Sequence, residues 1–125
     1  MDKVVHFEIP ADDMKRAQKF YGDTFGWQTQ EMPAMNYTMV TTVPLDEKHM
    51  PKELGAINGG MYKRDENSSK SPVIVINVSS VDESIVKVKA GGGKVVRPKN
   101  KVGDMGLYAQ VTDTEGNVIG LWQDI

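Results

Sequence analysis

Cysteine is absent from this chain of 125 residues. That one absence excludes a disulfide scaffold, a thiolate metal site and a cysteine nucleophile. An excess of charge of one sign is missing too, since 15 Lys and Arg stand against 17 Asp and Glu for a formal net charge of -2. No Lys/Arg stripe concentrates a positive field, so neither nucleic acid nor an anionic lipid surface is an expected partner. No stretch approaches the roughly 20 consecutive apolar residues of a membrane span. The opening MDKVVHFEIP lacks the basic-then-apolar pattern of an export signal, and a cytoplasmic location is expected. With 39% hydrophobic and 26% charged residues, the chain suits one globular domain that buries its own core.

What is present is a repeat. Val4 to Trp27 (VVHFEIPADDMKRAQKFYGDTFGW) returns in outline 67 positions later, in SPVIVINVSSVDESIVKVKAGGGK. Phe7 and Ile9 match Ile74 and Ile76, Met14 matches Val81, Tyr21 matches Val88 and Gly26 matches Gly93. Each copy reads strand, helix, glycine turn, strand. His6 is not repeated, because Val73 stands opposite it.

Val4 to Ile9 predicts a strand with Phe7 and Ile9 on one face and His6 and Glu8 on the other. Pro10 is expected to stop it, and Asp12 or Asp13 to cap the following helix. Met14, Ala17, Tyr21 and Phe25 recur at helical spacing and should face the sheet. Gly26 ends the helix. Trp27 to Glu31, Asn36 to Val43 and the glycine-rich Gly55 to Tyr62 read as strands, with Pro44 to Leu54 a polar excursion between the last two. The second copy predicts a strand over Val73 to Val78, a helix over Val81 to Ala90, and strands near Lys94 to Arg97, Leu107 to Thr112 and Val118 to Gln123. DTEGN, Asp113 to Asn117, has the composition of a tight turn joining the last two. The expectation is a single α+β domain of two tandem βαβββ modules: module one about 1–63, a polar linker 64–71 and module two about 72–125.

These residues carry a resemblance. HFEI followed by FYGDTFGW, then the glycine strand, the DTEGN turn and the terminal VIGLWQ, resembles the vicinal oxygen chelate superfamily of glyoxalase I, extradiol dioxygenases and bleomycin-resistance proteins. The resemblance implies a curved mixed sheet around a cleft, commonly within a homodimer. Metal-using members place four ligands in that cleft. Carried onto this chain, the first position is His6, which lies 14 residues before Phe20. The second falls around Asn58 to Gly60, the third on Val73 and the fourth on Gly120, and none of these offers a carboxylate or imidazole. A divalent ion needs several convergent N or O donors, so neither metal nor other cofactor is expected.

The remaining candidates follow from strand parity. His6 and Glu8 share the cleft face as a metal-free acid/base set, although His6 also reads as a leftover imidazole and Glu8 as a carboxylate at a wet cleft mouth. Tyr108, Gln110 and Trp122 share the cleft face of module two and Asn77 joins them, with Asn58 and Gly60 on the module-one side. Trp27 reads either as an aromatic floor for a ligand or as core packing. The functional expectation is metal-independent binding of a small molecule in the cleft. The alternative is a lyase or isomerase of the glyoxalase I type with an atypical metal or a metal-free acid/base site.

Overall fold

The computed structural model describes all 125 residues, Met1–Ile125. They form two compact units, one of His6–Pro72 and one of Val73–Ile125 together with Met1–Val5. No helix is long and apolar enough to cross a membrane.

The first unit runs β1 (Lys3–Ala11, entering this unit at His6), α1 (Met14–Phe25), β2 (Gln28–Met32), β3 (Tyr37–Thr41) and β4 (Gly59–Lys63). A short 3-10 turn over Pro33–Met35 joins β2 to β3. The second runs β5 (Val73–Asn77), α2 (Val81–Ala90), β6 (Lys94–Val102), β7 (Gly106–Thr112) and β8 (Val118–Asp124). Both have the same topology. In strand order they read β2-β3-β4-β1 and β6-β7-β8-β5, and in each the first strand pairs parallel with the last while the other neighbours run antiparallel. The duplicated βαβββ plan predicted by the repeat is therefore the observed α+β architecture.

Local chemistry explains the elements. The Asp13 carboxylate accepts from the Arg16 backbone N–H to open α1, and Gly26 closes it at φ 73, a left-handed conformation that costs glycine nothing. Ser80 opens α2 in the same way by accepting from the Glu83 N–H. α2 packs its apolar face onto the second sheet, where Val78, Val81, Ala109, Val111 and Leu121 are buried with Ile76, Ile85, Val88, Val95, Leu107 and Ile119 against them. Each fully buried aliphatic side chain there contributes about 1.5–3 kcal/mol.

Four expectations are corrected. Pro10 does not stop β1, which continues to Ala11 with Pro10 beside Tyr62, because a proline at this register leaves the neighbouring parallel pairing intact. The glycine strand starts at Gly59 rather than Gly55, and β6 runs five residues past Arg97 through two register shifts. The inward face of α1 is shorter than expected: Met14, Ala17 and Tyr21 are half-buried, while Phe25 is 59% exposed. Its aromatic contacts are made sideways, with Trp27 stacked on Tyr21 at 4.9 Å and 6°.

Candidate functional site

In the first unit, alternation puts His6, Glu8 and Pro10 on one face of β1, and the register carries that face across the sheet. Glu8 lies beside Gly60 and Pro10 beside Tyr62, while on the next strand Gly60 lies beside Met39 and Tyr62 beside Tyr37. His6 and Tyr37 meet on this face. The imidazole Nε2 is 2.8 Å from the Tyr37 hydroxyl, and the two ring planes are nearly parallel at 18°. Burial pushes His6 down to about 4, because a desolvated imidazolium is costly. At neutral pH His6 is an uncharged imidazole. Glu8 is only 7% exposed, which corrects the expectation of a carboxylate at a wet cleft mouth.

Gly60 is what lets Tyr37 reach His6. A Cβ at Gly60 would collide with the ring and hydroxyl of Tyr37, so the phenol occupies the space a side chain would take. Tyr37 was not among the residues expected at the site. Alternation in YTMVT joins Tyr37 to Met39 and Thr41, but only the register with β4 shows that this is the His6 face.

Two residues expected to contact ligand in this unit are committed elsewhere. The Asn58 amide oxygen accepts from the backbone N–H of Thr42 at 2.7 Å and of Val43 at 3.1 Å, and its amide nitrogen donates to the Val43 carbonyl at 3.3 Å. It is a backbone clamp. Trp27 packs among Phe7, Tyr21 and Phe25. Phe7 alternates with His6 and Glu8, so Trp27 lies on the opposite face from the pair. Two surface depressions of the unit do not include His6 or Glu8, one of about 630 Å³ against Leu45, Asp46 and Lys52 and one of about 370 Å³ between Pro10 and Phe20.

In the second unit, Gly120 lies beside Val75 and Gln110, and Trp122 beside Asn77 and Tyr108. The expected residues Tyr108, Gln110, Trp122 and Asn77 do share one face. Gln110 is 2% exposed, its amide nitrogen donates to the Tyr108 hydroxyl at 2.9 Å, and its amide oxygen is buried with no hydrogen-bond partner. Such an acceptor costs roughly 1–3 kcal/mol while it lacks a donor. Asn77 and Trp122 are held differently, each donating to one oxygen of the Asp124 carboxylate at 2.8 Å. Asp124 and Arg97, which stands beside Gln110, went unrecognised because their faces depend on strand ends and on the bulged β6 register.

The residues do not fit the metal that the resemblance implies. Gly60 is filled by Tyr37, Gly120 carries no donor, and Val73 is an apolar side chain 1% exposed. Nowhere do three His, Cys, Asp or Glu side chains gather in a way that could hold an ion. Beside the carboxylates of Glu8 and Asp124, the faces offer an imidazole–phenol pair in one unit and an amide–phenol pair in the other.

Comparison with known proteins agrees with the fold. Residues 3–43 match the family model for the bleomycin resistance protein-like N-terminal region. A glyoxylase-like domain-containing protein of Didymella fabae is 33% identical over 114 residues, covering 88% of this chain and 84% of that protein. A glyoxylase-type protein of Mycobacterium bovis, CFP32, is 31% identical over 120 residues, covering 93% of this chain. The chain spans 43% of the length of that relative. Among solved structures, a glyoxalase/bleomycin resistance protein/dioxygenase superfamily member from Vibrio splendidus superposes with a TM-score of 0.65 at 15% identity, covering 99% of this chain and 100% of the other.

Proposed function

Because this chain belongs to the glyoxylase-like family within the glyoxalase/bleomycin-resistance superfamily, we propose that it binds a small organic molecule without a metal ion. The observation that carries this reading is the replacement of ligand-type side chains by neutral groups, above all the His6–Tyr37 pair over Gly60. A divalent-ion site needs several convergent N or O donors, and of the positions the resemblance assigns only His6 carries one. A sparse polar set on a partly apolar surface is instead suited to orienting a neutral or weakly acidic ligand. In the second unit Tyr108 and Gln110 are the contacts we assign, with Trp122 as an apolar wall, and in the first unit, taken by itself, the contact we assign is His6. The same reading includes a homodimer in the cytoplasm, which sedimentation velocity and cell fractionation check.

The test is calorimetric titration of the protein with a panel of aromatic and glycopeptide antibiotics and small carbonyl compounds, with and without a chelator. A binder whose affinity is unchanged by the chelator is the expected result. Stoichiometric metal in protein purified without chelator, together with binding that chelation abolishes, overturns it.

A second reading is favoured by one observation, the burial of Glu8 on the His6 face. A desolvated carboxylate is a candidate proton acceptor, so His6 and Glu8 would serve a metal-free isomerase or lyase. Turnover of a methylglyoxal–thiol adduct in the presence of chelator, abolished by Glu8→Gln, is its signature. Turnover that Glu8→Gln leaves intact removes it.

A further inference from the structure

Deepening the binding reading and resting on it, we infer that the Asp124 end of the second unit's sheet face is a site for a protonated amine of the ligand, held among the Asp124 carboxylate, the Asn77 amide oxygen and the Trp122 indole. Alternation and register bring the three together within this unit. Trp122 and Asp124 lie two apart on β8 and share a face, and Asn77 lies beside Trp122 on β5. Gly106 lies beside Asp124 on β7, and a Cβ there would collide with the benzo edge of the Trp122 indole. The indole therefore takes the place of a side chain at Gly106, which carries its N–H to the end of the strand.

The bonds that fix this end have only one possible direction. An indole N–H and an amide nitrogen donate and a carboxylate accepts. Trp122 Nε1 thus gives to Asp124 Oδ1 and Asn77 Nδ2 to Asp124 Oδ2, each at 2.8 Å. With its nitrogen turned to Asp124, the Asn77 amide presents its oxygen on the other side, and no hydrogen bond of the chain ends on that oxygen. Each Asp124 oxygen keeps a further lone pair. Two other acids of this unit, Asp82 and Asp104, pair with Lys99 and Lys101, whereas Asp124 is held by neutral donors and has no cation of the chain beside it. The two tryptophans differ in a comparable way. Trp27 is surrounded by three rings, while no ring of the chain stacks on Trp122. An aromatic face draws a cation through its quadrupole, and a fixed carboxylate with an amide oxygen accepts the N–H groups of that cation. The amine occupies this end, and the remainder of the ligand is the neutral or weakly acidic part that Tyr108 and Gln110 meet.

The probes are phenethylamine and its uncharged analogue phenethyl alcohol. The isotope-labelled full chain gives one indole N–H signal for each of its 2 tryptophans, and Trp122→Phe identifies the one to follow. Phenethylamine should shift the Trp122 signal to saturation and bind about fivefold more tightly than the alcohol, the worth of one exposed ion pair. Because Asp124 is exposed, added salt should shrink that preference. Asp124→Asn removes the charge at nearly constant size and should abolish the preference, leaving the alcohol within about threefold of its parent affinity. A merely structural Asp124 would change both probes alike. Thermal melting and circular dichroism check that the variant folds, and should it not, the salt dependence of the parent's preference decides. No binding of phenethylamine by the parent, a preference that is absent or indifferent to salt, or one that Asp124→Asn leaves intact each overturns the inference. An antibiotic or carbonyl ligand that carries no amine and binds independently of chelator and of Asp124→Asn would leave the binding reading standing while this inference falls.

Discussion

His6 makes stability depend on pH at the scale of a single residue. Its folded-state pKa is about 4 against an unfolded value of 6.5. Between these values the unfolded chain binds more protons than the folded one, so stability is fully present above about pH 6.5 and is lost as pH falls through 4. A shift of that size corresponds to at most about 3 kcal/mol. Urea denaturation at pH 7 and pH 4.5 should therefore show a drop that His6→Gln reduces, and an equal drop in the two proteins would contradict the assignment. Gly60 gives a second test. A methyl group there has nowhere to go while Tyr37 stays in place, so Gly60→Ala should cost about 1–3 kcal/mol by overpacking. Most of that cost should vanish in the Tyr37→Ala background, and a double-mutant cycle measures the difference.

The interest at the element scale lies where strands hand over to loops. β3 ends at Thr41, and the chain then leaves the sheet for the 44–58 excursion before returning as β4. Two side chains close that gap: Asn58 holds the backbone N–H groups of Thr42 and Val43 and the Val43 carbonyl, and the Thr42 hydroxyl donates to the Ile57 carbonyl. Asn58→Ala should lower stability by about 1–2 kcal/mol and speed hydrogen exchange at Thr42 and Val43. Unchanged exchange at those two amides would show that the clamp is dispensable. The two helices differ more than their sequences suggest. α2 buries Val81 and packs on a continuous apolar face, whereas α1 carries good caps at both ends yet leaves Phe20 and Phe25 more than half exposed. Helical spacing of apolar residues locates a helix, but burial also requires a facing surface, and α1 lies against short strands with few large side chains.

For the whole molecule, duplication of one βαβββ plan has a thermodynamic consequence. A metal bound only by the folded chain would raise its melting temperature with concentration. Because neither glycine position nor Val73 offers a donor, added zinc, nickel or manganese should leave melting within error, whereas a dose-dependent rise would reveal a donor set that the register does not suggest. Family membership rests on sequence identity along nearly the full chain, while the activity of the longer mycobacterial relative belongs to a protein of which this chain matches 43%.

Much of this was legible in the amino-acid order itself. The repeat, its period-2 and period-3.6 patterns, a cap at Asp12 or Asp13, the stop at Gly26, and the absence of donors at Val73 and Gly120 are local or pairwise features that a one-dimensional pattern records. Alternation also places Tyr108, Gln110 and Trp122 on one face. What alternation leaves open is which residues of different strands face one another, since a slip of one position turns every side chain over. Hydrogen-bonded register alone set Tyr37 over Gly60 and against His6, carried Asn58 to the backbone of Thr42 and Val43, and put Asp124 within reach of Asn77 and Trp122. The sequence determined two equal halves and the absence of a donor side chain at Val73 and Gly120. The tertiary structure decided that the Tyr37 and Tyr108 phenols lie against Gly60 and Gly120, because only pairing between strands distant in the chain brings those atoms together.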